Sequence, residues 1–224
     1  MSEKANLLND LIRDSNADLI FFTETWLSER GDEVKINTMT PPYYQACSFP
    51  RLTGSGGGLC ILTKKSFVNP KSKRIPEFTS FECSKTEIII NNIKVIFYCI
   101  YRPTPSARNG LTPSLFISEF EKFLEIYAIP NVKTVILGDI NLHFDVPSET
   151  YMKQMINILY VRQLHQFVDK PTHRMGHILD WIITNDLDLL SDLDIVDKAL
   201  SDHYVITCSM NFPKPVLKKK NNKK

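Results

Sequence analysis

The sequence predicts an α/β domain built from two packed sheets with helices on their outer sides. Three observations predict it. Apolar runs of strand length outnumber the helical patterns. The helical patterns fall between groups of those runs. A chain of 224 residues with 43% hydrophobic composition can bury one sizeable core. Periodicity by itself leaves other mixed α/β arrangements open.

The elements follow in order. Over residues 3–14, Ala5, Leu7, Leu8, Leu11 and Ile12 recur at helical spacing, with Ser2 placed to cap the start. The run Asp18 to Trp26 is a short apolar stretch that ends in polar residues, which predicts a buried strand with a functional end. Residues 43–49 and 57–63 predict further strands, separated by Gly56-Gly57-Gly58. Residues 86–101 divide at Asn91-Asn92, a turn pair, into a hairpin. Thr112-Pro113 supplies an N-cap and a proline for the first helical turn. The helix then runs through Phe116, Phe120, Phe123, Leu124 and Tyr127. Thr134 to Leu137 predicts a strand and residues 149–160 a helix. Ile178 to Thr184, residues 193–197 and Tyr204 to Met210 predict three more strands. No repeat and no interdomain linker interrupts this order. The expected organisation is one domain over 1–212 and a Lys-rich, disordered tail over 213–224.

Composition narrows the function classes. Net charge is only +2, and the Lys218–Lys224 end supplies much of the positive balance, so any phosphate-binding surface must be local. The five cysteines are scattered without a CxxC pair, which argues against a disulfide framework and a zinc site. Cys60, Cys99 and Cys208 lie in apolar runs, where free cysteine acts as a small core residue. The N-terminus carries charges where a signal peptide needs an apolar stretch, and no segment reaches membrane-span length. The expectation is an intracellular protein with no membrane partner. Its Lys tail is either a nuclear-localisation or phosphate-binding patch or simply solvated.

Chemistry collects at the strand ends. Glu24 follows Phe21-Phe22; Asp139 and Asn141 follow Val135 to Gly138; Asp180 lies within Ile178 to Ile183; Asp202-His203 precede Tyr204 to Ile206. One acid beside an apolar strand is ordinarily a structural hydrogen-bond anchor. Four carboxylates on separate strands call for a shared counter-charge. A hard divalent cation supplies it, because it prefers carboxylate, amide and water oxygens. With a histidine among them, metal-assisted phosphoryl transfer becomes the leading chemistry. A serine hydrolase is a poor alternative, since no GxSxG elbow occurs.

The ordered set Thr23-Glu24-Thr25-Trp26-Leu27, Gly56-Gly57-Gly58, Ile100-Tyr101-Arg102-Pro103, Gly138-Asp139-Ile140-Asn141, Pro171-Thr172-His173, Leu179-Asp180-Trp181 and Ser201-Asp202-His203 resembles the endonuclease/exonuclease/phosphatase superfamily. Its wording is most similar to the apurinic-endonuclease-like domain of non-LTR retrotransposons. The resemblance runs from about Ala5 to about Met210. It implies a four-layered α/β sandwich, with two face-to-face mixed sheets and helices outside. It also implies a phosphodiesterase dependent on Mg²⁺, with Mn²⁺ as the alternative ion, that nicks DNA.

By the same resemblance, Glu24 binds the metal and Asp202 is the acid near it. Asp139 orients or deprotonates the attacking water, and Asn141 holds that water or a phosphate oxygen. Tyr101 contacts the phosphate, His203 meets its charge, and Asp180 holds the His203 ring, unless Asp180 pairs with Arg174 instead. Arg102, Arg108 and Arg174 are candidates for the DNA backbone. His143 is a loop histidine that either touches substrate or is satisfied by water, His173 and His177 lie with Thr172 and Arg174 in a polar loop that meets a DNA backbone through Arg174 or sits at the surface, and His165 is expected to be structural.

One departure stands out. The family opens with a strand that ends in a metal-sharing asparagine, and here the helix begins almost at Met1. Asn6 and Asn9 lie within the helical pattern and are poor substitutes. The departure predicts a missing ligand, unpaired strand edges, weak or absent activity and marginal stability. The alternative function is therefore a catalytically inactive remnant; a phospholipid or small phosphate ester is a further substrate reading.

Overall fold

The computed structural model describes residues 2–28, 30–106, 108–129 and 131–212. The expected tail over 213–224 and the capping by the Ser2 side chain lie outside what it describes. Among the described residues no helix is long and apolar enough to cross a membrane.

The chain runs α1 (Ser2–Ser15), β1 (Leu19–Phe22), α2 (Glu33–Met39), β2 (Tyr44–Phe49), β3 (Leu59–Lys64), β4 (Lys71–Ile75), β5 (Glu82–Ile90) and β6 (Ile93–Tyr101). Then follow α3 (Pro113–Tyr127), β7 (Lys133–Asp139), α4 (Thr150–Val161), β8 (His165–Gln166), β9 (Asp180–Thr184), β10 (Leu190–Val196) and β11 (Val205–Met210). The Asn91-Asn92 turn closes the β5–β6 hairpin, with both residues at positive φ as a tight two-residue turn requires. Thr112 caps α3: its hydroxyl accepts from the Leu115 amide at 3.1 Å, ahead of Pro113 in the first turn.

The larger sheet has the order β4-β5-β6-β7-β9-β8. All its pairings are antiparallel except β6–β7, whose parallel crossover contains α3. The smaller sheet, β1-β3-β2, is antiparallel throughout, so only the larger sheet is mixed. Alternation of side chains along the strands builds the layers. Phe21 and Leu59 face the larger sheet, where they meet Phe97, Cys99, Tyr101 and Leu137; the Phe21 and Phe97 rings lie 5.5 Å apart. On the other face, Ile20, Phe22, Cys60 and Leu62 pack on Ala5, Ile12 and Met39 of α1 and α2. Tyr98 points oppositely to its neighbours and meets Phe123 of α3 at 5.0 Å. Phe116, Phe120, Phe123 and Leu124 are fully buried there, each worth about 1.5–3 kcal/mol. Met152, Met155, Ile158 and Leu159 of α4 join the same core. The result is the predicted sandwich of helices, sheet, sheet and helices.

The β10–β11 ladder stands as its own two-stranded sheet and packs Leu193, Ile195, Ile206 and Met210 on the main core. Among the described residues, neither β1 nor β11 has a strand on its second edge. Cys208 on β11 is exposed, a correction to its expected core position: the side chain lies where β11 is open to solvent. Asn9 donates to the Thr38 carbonyl at 2.8 Å and so ties α1 to α2, while Asn6 is exposed on α1.

Candidate active site

Three strands of the larger sheet end side by side. In register, Tyr101 of β6 lies opposite Asp139 of β7, and Asp139 lies opposite Asp180 of β9. The close approach depends on Gly138, at φ +129°, where a Cβ would overlap the Ile100 carbonyl oxygen of β6. The Arg102 amide then donates to the Asp139 carbonyl at 2.9 Å and locks the two strand ends together.

The side chains converge on this edge. Asp139 is 3% exposed. Its Oδ1 accepts from the Asn141 amide at 3.0 Å and its Oδ2 from Asn141 Nδ2 at 2.8 Å. Asn141 folds back in this way because it takes φ +51°, a conformation asparagine tolerates. Its Nδ2 is also held by the Arg102 carbonyl at 2.9 Å, so the amide has one fixed orientation. His203 Nδ1 lies 2.7 Å from Asp180 Oδ2, and its Nε2 lies 4.0 Å from Asp139 Oδ2. Facing a carboxylate, Nδ1 must carry the proton it shares. Glu24, just beyond β1, accepts a hydrogen bond from the Tyr101 hydroxyl.

The loops that carry these groups explain the Pro171-Thr172-His173 motif. The buried Thr172 hydroxyl accepts from the amides of Leu179 and Asp180, each at 3.0 Å, and so fixes the start of β9. His173 pairs with His203 in a β-bridge, and the Tyr204 amide donates to the Thr172 carbonyl at 2.7 Å. One segment therefore positions both Asp180 and His203. The Met175 amide donates to His173 Nδ1 at 3.2 Å, which leaves the His173 proton on Nε2, 3.2 Å from Asp202.

The electrostatics follow from this packing. Burial pushes the Asp139 carboxyl above the usual carboxylate range, and the nearby Asp180 charge pushes it further. Burial works against a charged His203. The hydrogen bond and charge of Asp180, with Asp139 and Asp202, outweigh it and raise His203 to about 9. The 2.7 Å bond to Asp180 favours the protonated imidazolium of His203. Burial, then Glu24, raises the Tyr101 hydroxyl and keeps it protonated. The hydrogen bond from His173 holds Asp202 low.

One consequence is testable on metal-free protein. His203 is raised in the fold from 6.5, so its contribution to stability is full below about pH 6.5 and is lost as pH rises through about 9. In Asp180→Asn, NMR titration of the His203 ring is expected to return toward 6.5, with that alkaline loss of stability much reduced. An unchanged ring titration contradicts the pairing.

Several sequence expectations need correction or refinement. Arg102 is 2% exposed; its guanidinium donates to the Ile140 and Asn141 carbonyls and lies over the Phe116 ring. It supports the Asp139 loop from within and cannot reach a DNA backbone. Arg174 is exposed and pairs with Asp197, 3.2 Å away, not with Asp180. Arg108 is exposed. Asp202 points outward, its side chain 69% exposed, toward His173. His143 and His177 stack at 4.0 Å, with His177 also 2.9 Å from Asp145. His165 lies on β8, half-buried. Sequence reasoning missed His173 as the partner of Asp202, although the motif containing it was visible. It also missed the Arg51–Glu82 ion pair, which carries the Gly58 amide on Glu82 at 2.8 Å.

Among the described residues, two groups bring ligand atoms within 4.8 Å of one another: Asp139, Asp180 and His203, and His173, Asp202 and His203. Asp139, which is buried, thus meets Asn141, Asp180 and His203 at one end of a two-sheet sandwich. The chain belongs to the Endonuclease/Exonuclease/phosphatase family, which matches residues 1–203.

Solved structures agree on the fold. An AP endonuclease from Leishmania major is similar with a TM-score of 0.71 at 12% identity, covering 94% of this chain and 83% of that one. The endonuclease domain of TRAS1, a telomere-specific non-LTR retrotransposon, is similar with a TM-score of 0.65 at 12% identity, covering 92% and 91%. A mannosyl-6-phosphatase from Bacteroides thetaiotaomicron has a TM-score of 0.64 at 12% identity, covering 94% and 91%. No curated protein matches the chain in sequence.

Proposed function

We propose that this protein is a divalent-cation-dependent phosphodiesterase that nicks DNA, in the manner of retrotransposon endonucleases. The observation that carries the reading is the Asp139–His203–Asp180 arrangement, with an ionisable base and a charged imidazole 4.0 Å apart at one strand edge. The acids suit a hard cation such as Mg²⁺: Glu24, held by Tyr101, would offer it one carboxylate, Asp139 another beside Asp180 and His203, and Asp202 would add negative charge beside His203. A cation held there would neutralise charge on the phosphoryl oxygens.

The side chains supply the rest. Asp139 takes the proton of the attacking water, which Asn141 helps to hold; as the new phosphorus–oxygen bond forms, the phosphorus–oxygen bond to one side of the DNA strand breaks and the released oxygen takes a proton from solvent. His203, kept charged by Asp180, donates from Nε2 to a phosphoryl oxygen as its charge grows. Tyr101, protonated at any physiological pH, turns its hydroxyl from Glu24 to the phosphate. Arg174 can contact the DNA backbone, since its exposed pairing with Asp197 is screened by solvent and readily exchanged.

The deciding experiment offers supercoiled plasmid and a panel of phosphomonoesters to the purified protein. Nicked circles with Mg²⁺ or Mn²⁺, and none with chelator, are the expected result. Phosphate release from the monoesters with the plasmid untouched would overturn the DNA reading. Intact substrates throughout would leave the inactive remnant.

A further inference from the structure

We propose that Trp26 is a stacking platform for a nucleobase next to the cut phosphate, an inference that rests on the DNA phosphodiesterase reading above. The protein has two tryptophans. Trp181 is 1% exposed, in the core; Trp26 is 66% exposed, two residues after Glu24.

The backbone around Trp26 is unusual for an exposed loop. Glu24 and Trp26 both take left-handed conformations, at φ +49° and +53°. Such conformations cost energy in non-glycine residues and gather where side-chain direction matters. The Thr25 amide donates to the Gly58 carbonyl at 3.2 Å and the Trp26 amide to the Gly57 carbonyl at 2.8 Å, so the segment is fastened to the glycine loop. That loop is itself secured by Glu82, which accepts from the Gly58 amide and pairs with Arg51. Arg51 lies over the Tyr101 ring at 5.6 Å. Trp26 is thus tied to the same framework as the Glu24–Tyr101 pair.

The indole is also supported. A Cβ at Gly56 would stand 3.3 Å from Cζ2 and 3.4 Å from Cε2 of Trp26, so the benzo edge rests on a residue without a side chain. Two thirds of the side-chain-bearing residue still faces solvent. A rigid, flat, apolar surface beside an anion-handling centre suits a nucleobase. Stacking on it needs no particular base, because each has a π-face.

The test uses a short single-stranded oligodeoxynucleotide in chelator, so that binding is read without cleavage. Because Trp181 is buried, saturable quenching of tryptophan fluorescence reports Trp26. Quenching is expected in the wild type and absent in Trp26→Phe. With a dye-labelled oligonucleotide, Trp26→Ala is expected to bind about 5- to 150-fold more weakly, with Trp26→Phe in between. An abasic residue at one position in the strand is expected to erase the difference between wild type and Trp26→Ala. Equal binding by wild type and Trp26→Ala, with both folded by circular dichroism, overturns the stacking site and leaves the DNA reading standing. No binding by the wild type overturns both.

Discussion

Asp139→Asn is expected to reduce nicking by about 10²- to 10⁴-fold, the range of a general base. The substitution is nearly isosteric, and the Asn141 contacts at 2.8 and 3.0 Å give it polar neighbours to keep. Folding should therefore survive. Stability near neutral pH is expected to rise, because burial and Asp180 disfavour the charged carboxylate. An acid raised in the fold stabilises most below its unfolded value, and that contribution is lost as pH rises through the folded one. The Asn variant should lack this loss. Single-turnover nicking and a urea melt check the two halves separately. Full activity in the variant would remove Asp139 from the chemistry.

Gly138→Ala is expected to be the most destabilising single change, by about 4 kcal/mol or more. At φ +129° an L side chain is strained whatever the space, and here the new methyl group would meet the Ile100 carbonyl oxygen of the paired strand. The strands must part at the point where Tyr101, Asp139 and Asp180 line up. The midpoint of chemical denaturation should fall sharply, and any soluble protein should lose activity out of proportion to its folded fraction. A shift worth less than about 1 kcal/mol, a typical point-mutant cost, would contradict the close strand approach.

Much of this architecture was legible because the signals were local. The Asn91-Asn92 turn, the Thr112-Pro113 cap and the phenylalanines of α3 each carry their own periodicity or turn chemistry. Three elements lacked such signals. Helix α2 is seven residues with a single buried position, Met39. Strand β4, Lys71–Ile75, reads as polar because it is an edge on which Lys71 and Lys73 are exposed, while Arg74 reaches the Pro50 carbonyl and the Phe49 ring. Strand β8 is two residues long. The predicted strand at Ile178 begins at Asp180 instead, because Asp145 and Thr172 side chains take the Ile178 and Leu179 amides.

The site divides in the same way. The strand-end acids, the amide and His203 were visible as polar residues that interrupt apolar runs. Arg102 was misjudged, because nothing local tells that a guanidinium will be satisfied by carbonyls inside the fold. The pairing of His173 with Asp202 is long-range and emerges only once their segments meet in the β-bridge.

The most direct measurement is an electron paramagnetic resonance titration of Mn²⁺ into the wild type, Glu24→Gln and Asp139→Asn, with Mg²⁺ as competitor. One saturable site is expected, displaced by Mg²⁺ and weakened in both variants, though their side chains come from different sheets. Binding that is absent in the wild type, or the same in all three proteins, would show that β1 and β7 do not build a common cation centre.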